Sequence, residues 1–177
     1  MLKRIINLII FMLLVFGLLM VYKNIEKNKG LNIEAINKLS DIKLEDVKKI
    51  IKSDGLDLSK IDKDKQNNIL SIIKSFDLID FDNLSKFIKQ GKNLQGSAQK
   101  IYNDIIFNKY KKNPDEFMRQ ILKLDTDEVS KLLKVFADKY IEKPKMVEDL
   151  QKLLKDNSMS ESDKKKIKQL VNELKNN

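Results

Sequence analysis

Apolar side chains fall into two regimes along this chain. From Ile5 to Val21 they run almost unbroken, and Asn7 is the one strongly hydrogen-bonding side chain before Tyr22. From about Ile33 they recur at steps of three and four, the spacing of one face of an α-helix. Leu44, Val47, Ile50 and Ile51 make the first stripe, and Ile69, Ile72, Ile73 and Phe76 the second. Leu84, Phe87 and Ile88 make a short third. A longer stripe is Ala98, Ile101, Tyr102, Ile105, Ile106 and Tyr110, followed by Phe117, Met118, Ile121 and Leu122. Val129, Leu132, Leu133, Phe136 and Tyr140 come next. Val147, Leu150, Leu153 and Leu154 follow, and Ile167, Leu170, Val171 and Leu174 complete the series.

The residues between the stripes punctuate them as helix ends. Asn113-Pro114-Asp115-Glu116 places a capping Asn before a first-turn Pro, with Glu three residues on. Asp125 to Glu128 repeats that logic, and Ser160-Glu161-Ser162-Asp163 is a weaker version. Asp82 is expected to cap the helix through Leu84, and Pro144 to open another after a helix ending near Ile141. Gly91 and Gly96 bracket a connection between the two halves. No segment sustains the period-two alternation of a strand. The stripes do not keep one heptad across the loops, which excludes a long coiled coil. Leu58-Ser59-Lys60-Ile61, Leu84-Ser85-Lys86-Phe87 and Val129-Ser130-Lys131-Leu132 look alike but recur at no fixed period. The expected fold is all-α: an N-terminal single transmembrane helix followed by a compact bundle of about seven or eight short helices. Residues 1–22 are the transmembrane signal-anchor, 23–32 a juxtamembrane linker and 33–177 the helical domain.

The apolar run up to Tyr22 spans about 27 Å as a helix, close to the roughly 30 Å of a bilayer core. Lys3 and Arg4 flank one end, and Tyr22 and Lys23 stand at the other, where interfacial anchors belong. The run is apolar all round, unlike the two-sided helix of a soluble core. A cleaved signal peptide is the competing reading, but no A-x-A site follows a shorter apolar core. Val15-Phe16-Gly17 is the nearest approach, and Leu18 to Val21 continue the run past it. Short N-terminal tails of this kind stay in the cytoplasm, which puts the helical domain outside the cell membrane.

Composition narrows the chemistry. The 177 residues include no Cys and no His, which excludes disulfides, thiolate nucleophiles, imidazole bases and Cys/His zinc sites. Any metal would need an all-oxygen site of the calcium or magnesium kind. The net charge of +9 suggests nucleic acid, but Lys3, Arg4, Lys23, Lys27 and Lys29 against Glu26 supply +4 of it at the N-terminus. Arg, the usual partner of phosphates and base edges, occurs only as Arg4 and Arg119. Nucleic acid is therefore not an expected partner. Lys, Ile and Asn, whose codons are A/T-rich, are abundant, which points to a bacterial, AT-rich genome.

Few residues resemble a site. Gly91-Lys92-Asn93-Leu94-Gln95-Gly96-Ser97 has the glycine spacing of a phosphate loop, but Ser97 and Ala98 stand where Lys and Ser or Thr are required. It reads as a connection in which Ser97 caps the next helix. Asp77, Asp80 and Asp82, and separately Asp54, Asp57, Asp62 and Asp64, lack the Gly and Glu of a calcium loop. Asp115/Glu116 and Asp127/Glu128 fall in first helical turns, where the helix dipole stabilises acids. Tyr102, Tyr110 and Tyr140 read as core residues with solvated hydroxyls. The basic runs are Lys109, Lys111 and Lys112, and Lys164, Lys165, Lys166 and Lys168. The second is the candidate anion contact, although both also read as solvated surface. No catalytic, cofactor-binding or metal-binding residue is assigned.

The functional expectation is a membrane-anchored helical protein-interaction or assembly module of the cell envelope, without catalytic activity. It touches the lipid bilayer through residues 5–22 and another protein through its domain. One alternative is a membrane-tethered binder of anionic polymer or lipid. Another is an Asp/Glu-dependent cell-wall hydrolase.

Overall fold

Short polar side chains that take up free backbone N–H groups set several of the helix starts among the described residues. The computed structural model describes residues 31–176, which form nine α-helices and one 3-10 turn with no strand among them. Asn32 accepts from the Ala35 N–H at 2.8 Å to begin α1 (Ile33–Lys38). In α2 (Leu44–Lys52) the Asp46 carboxylate reaches back to the Lys43 N–H at 3.0 Å. Asp57 starts the 3-10 turn (Leu58–Lys60), and α3 follows (Lys63–Phe76). Asp80 accepts from the Asn83 N–H at 3.0 Å to begin α4 (Phe81–Gly91). Then come α5 (Gly96–Lys112) and α6 (Pro114–Ile121), the latter capped by Asn113 at 3.1 Å from the Glu116 N–H. α7 (Thr126–Lys139) follows Asp125, and α8 (Lys143–Leu154) carries Pro144 in its first turn. Before α9 (Glu161–Asn176), Ser160 Oγ accepts from the Asp163 N–H at 3.1 Å and donates to its carboxylate at 2.7 Å.

The helices beyond the expected number are the short ones. α1 and the 3-10 turn span too few residues to show a periodic stripe. Two expected caps are displaced. α4 starts before Asp82, because Asp80 already serves as acceptor, so Asp82 lies inside the first turn. α5 starts at Gly96, whose φ of +61° is a left-handed value that costs glycine little. Ser97 is therefore inside the helix, and its hydroxyl donates to Asn67 Oδ1 at 3.0 Å.

The apolar stripes meet in one core. α5 packs on α3, α4 and α6; α9 closes the far side against α8 and α7. Phe87, Phe117 and Phe136 are fully buried. Phe136 meets Phe107 edge-on at 5.4 Å, and Phe107 stacks on Tyr140 at 4.6 Å. Such pairs add about 0.5–1.5 kcal/mol each beyond burial. One member of the expected stripes stays outside: Phe76 is 61% exposed. α3 ends there, the chain reverses through Asp77 in the left-handed region, and Ile79 is the next residue fully buried in the core.

Among the described residues no helix is long and apolar enough to cross a membrane. The expected anchor, residues 1–22 with Lys3, Arg4, Tyr22 and Lys23, and linker residues 23–30 lie outside the described residues.

Candidate functional site

α4 is amphipathic, and its outer face is rich in lysine. Leu84, Phe87 and Ile88 turn into the core. Lys86, Lys89 and Lys92 recur at every third residue and remain outside it. The chain that follows α2 folds past this face and leads into the 3-10 turn, which adds Lys60. The turn after α6 adds Lys123. Together they line a cavity of about 600 Å³, with five lysines set against Asp54 and Asp57. The excess of positive over negative charge on this concave wall raises the local concentration of anions.

Three of these lysines have partners. Lys86 pairs with Asp54 at 2.6 Å and also donates to the Lys52 carbonyl. Lys92 reaches Glu128 at 3.3 Å, and Lys123 donates to Gln120 Oε1 at 2.7 Å. Lys60 and Lys89 form no ion pair among the described residues. Asp57 is held rigidly, accepting from the Ser59 N–H at 3.0 Å, its hydroxyl at 2.6 Å and Asn93 Nδ2 at 3.1 Å. Burial pushes its carboxyl up, but those hydrogen bonds and the Lys60 charge outweigh burial and hold it below the ordinary carboxylate value. The floor is Gln90, 2% exposed, whose Nε2 caps the end of α2 by donating to the Ser53 carbonyl at 2.8 Å. Its Oε1 is buried without a partner.

The residues singled out from the sequence are placed differently. Of the candidate anion contacts on α9, Lys165 and Lys168 are exposed. Lys164 pairs with Glu161 at 3.0 Å. Lys166 turns inward and donates to the carbonyls of Leu122, at 2.9 Å, and of Leu124. Burial lowers its pKa, and the Lys89 charge adds to that, against Asp125, Asp163 and Glu128. Lys109 is 4% exposed and, with Lys112, pairs with Asp77; Lys111 lies over the Phe107 ring at 5.2 Å. Of the acidic runs, Asp57 and Asp80 are caps, Asp54, Asp62 and Asp77 form ion pairs, and Asp64 and Asp82 lie in first helical turns; no group of three or more potential metal-ligating side chains exists among the described residues.

Tyr102 and Tyr110 are buried in the core and Tyr140 is half-buried against it, and each hydroxyl has a protein partner. Tyr102 donates to the Ile88 carbonyl at 2.9 Å, Tyr140 to Asp104 at 3.1 Å and Tyr110 to the buried Asp149. The lysine cavity itself went unread in the sequence, because Lys60 and Lys123 join α4 only through the fold. The available signal was the three-residue spacing of Lys86, Lys89 and Lys92.

Comparison with protein-family models, curated proteins and solved structures finds no match for the chain.

Proposed function

We propose that this protein is a membrane-tethered binder of a phosphate-bearing anionic ligand, with residues 1–22 as the tether and the lysine cavity as the seat. The observation that supports this reading is the convergence of Lys60, Lys86, Lys89, Lys92 and Lys123 on one concavity, with neither Lys60 nor Lys89 in a salt bridge among the described residues. Large contiguous apolar patches mark protein-docking faces of the apolar kind. Phe76 is the one large hydrophobic side chain exposed among the described residues. A hydrolase of the two-carboxylate kind needs an acid whose pKa is raised. In this cavity Asp57 is held low instead.

The test is binding of fluorescent inorganic polyphosphate to the purified full-length chain in neutral detergent, at 50 and 200 mM salt. Three to five lysine–phosphate contacts weaken binding roughly 20- to 130-fold over that range by counterion release. The double variant Lys60→Glu/Lys89→Glu should abolish most of that dependence. A flat salt response, or a double variant that binds like the parent, refutes the reading.

A further inference from the structure

We propose that the ligand is a polyol phosphate, a phosphate esterified to a hydroxyl-bearing carbon chain, and that a second cavity beside the lysines reads its hydroxyls. This rests on the anion-binding reading above and goes further, to the chemical class of the ligand.

The second cavity, about 680 Å³, lies between the 3-10 turn, α3 and the start of α5. Its polar walls are Ser59, Gln66, Asn67, Asn93, Gln95 and Ser97, with Lys63 as the one charged residue. In a chain that is 34% charged, a cavity this large walled by neutral amides and hydroxyls is a departure from the rest of the surface.

The groups left free there are of both kinds. Gln66 is 7% exposed, and its Nε2 is taken by the carbonyls of Ile61 at 2.6 Å and Ser59 at 3.2 Å. Its Oε1, which accepts no hydrogen bond among the described residues, is the polar atom left for the cavity. Asn93 is tied through Nδ2 to Asp57, which leaves its Oδ1 as a second acceptor. Asn67 accepts from Ser97 through Oδ1, which leaves its Nδ2 as a donor, and the Gln95 amide is free. Mixed donors and acceptors match hydroxyls, each of which donates once and accepts twice. Phosphate oxygens only accept, so they have no use for Gln66 Oε1 or Asn93 Oδ1.

The two cavities adjoin. Asp57 lines the first, Asn93 lines the second, and the two side chains are hydrogen-bonded at 3.1 Å. Ser59 and Lys60, consecutive in the 3-10 turn, face one cavity each. A ligand lying across this partition sets phosphate beside Lys60 and hydroxyls among Gln66, Asn67, Asn93 and Gln95. No aromatic side chain lines either cavity, so neither offers the stacking platform that nucleic-acid bases use.

The experiment compares soluble poly(glycerol phosphate) with inorganic polyphosphate of matched phosphate number, at one salt concentration, on the full-length chain in phosphatidylcholine nanodiscs. The expected result is a preference of about tenfold for the glycerol polymer. The variant Asn67→Ala/Gln95→Ala should erase that preference and leave polyphosphate affinity unchanged, which also shows that the variant is folded. Equal affinities in the parent, or a preference that survives in the variant, overturn the inference while leaving anion binding intact. Failure to bind either polymer removes the underlying reading instead. The same chemistry occurs in a lipid headgroup, so phosphatidylglycerol is then added to the discs, with phosphatidic acid as the charge control. Selective loss of polymer binding with phosphatidylglycerol assigns the polyol phosphate to the bilayer. Unchanged polymer binding assigns it to a polymer.

Discussion

Gly91 ends α4 against the ring of Tyr102, and adding one methyl group there should have an effect whose sign separates two explanations. Helix propensity alone makes Gly91→Ala stabilising by about 0.8–1.0 kcal/mol. The packing predicts the opposite. A Cβ at Gly91 would fall within overlap distance of the Tyr102 Cε2 and Cδ2 atoms and 3.0 Å from Cζ. The ring has no room to retreat. It is 5% exposed, rests 5.3 Å from Phe87 and is tied by its hydroxyl to the Ile88 carbonyl at 2.9 Å. Overpacking of this kind costs about 1–3 kcal/mol. Pulling the hydroxyl off Ile88 costs about 1 kcal/mol more. The net expectation is a loss of about 2 kcal/mol, or roughly 4–8 °C in Tm for a chain of this size. Thermal and urea unfolding of the purified protein, followed by circular dichroism, measure it. Repeating the substitution in a Tyr102→Ala background should turn it favourable by about 1 kcal/mol, because the obstacle is gone. A Gly91→Ala protein as stable as the parent, or more so, refutes the argument that close approach dictates glycine here.

Acid should destabilise the domain partly through Asp149, which is 1% exposed and accepts from Tyr110 and from Lys145 at 3.0 Å. Burial pushes its carboxyl up, but the Tyr110 bond and the charges of Lys145 and Lys152 prevail and hold it below 3.8. A carboxyl lowered in the folded state contributes stability that is present above the unfolded value and lost as pH falls through the folded one. Asp149→Asn should therefore cost about 1–3 kcal/mol at pH 7 and flatten the decline of urea midpoints below about pH 4. An unchanged slope would show that Asp149 contributes nothing to it. Protease added to intact cells should digest the helical domain and spare cytoplasmic proteins. Protection of the domain would place it inside and remove surface polymers from its reach.

The fold was largely readable because its information is local. The stripe through Ile101, Tyr102, Ile105 and Ile106 lies in α5. The Asn113-Pro114 start of α6 and the Pro144 start of α8 lie where capping chemistry puts them. What escaped depends on contacts between distant segments. Ser97 lost its capping role because Gly96 admits a left-handed start and Asn67 offers another acceptor. Phe76 has the right period for the core and still faces outward, because the chain turns at Asp77 and Ile79 is buried beyond it. The site was the least legible part. The lysine run on α9 is dense in sequence, yet Lys166 is spent on backbone carbonyls. Lys60 and Lys123 join Lys86, Lys89 and Lys92 only through the fold, and no sequence pattern links them to that spacing.

The inward turn of Lys166 bears on the order in which the molecule can be completed. The carbonyls of Leu122 and Leu124, at the turn between α6 and α7, find their lysine donor on α9, more than forty residues later in the chain. A chain made N-terminus first closes that turn with its own backbone hydrogen bonds and gains the lysine donor only when α9 has arrived. Ile167, Leu170, Val171 and Leu174 bring the cover for α7 and α8 at the same moment. Lys123 projects from that same turn into the lysine cavity. The turn that carries Lys123 is therefore braced last, and a chain interrupted before α9 would lack the lysine that braces it.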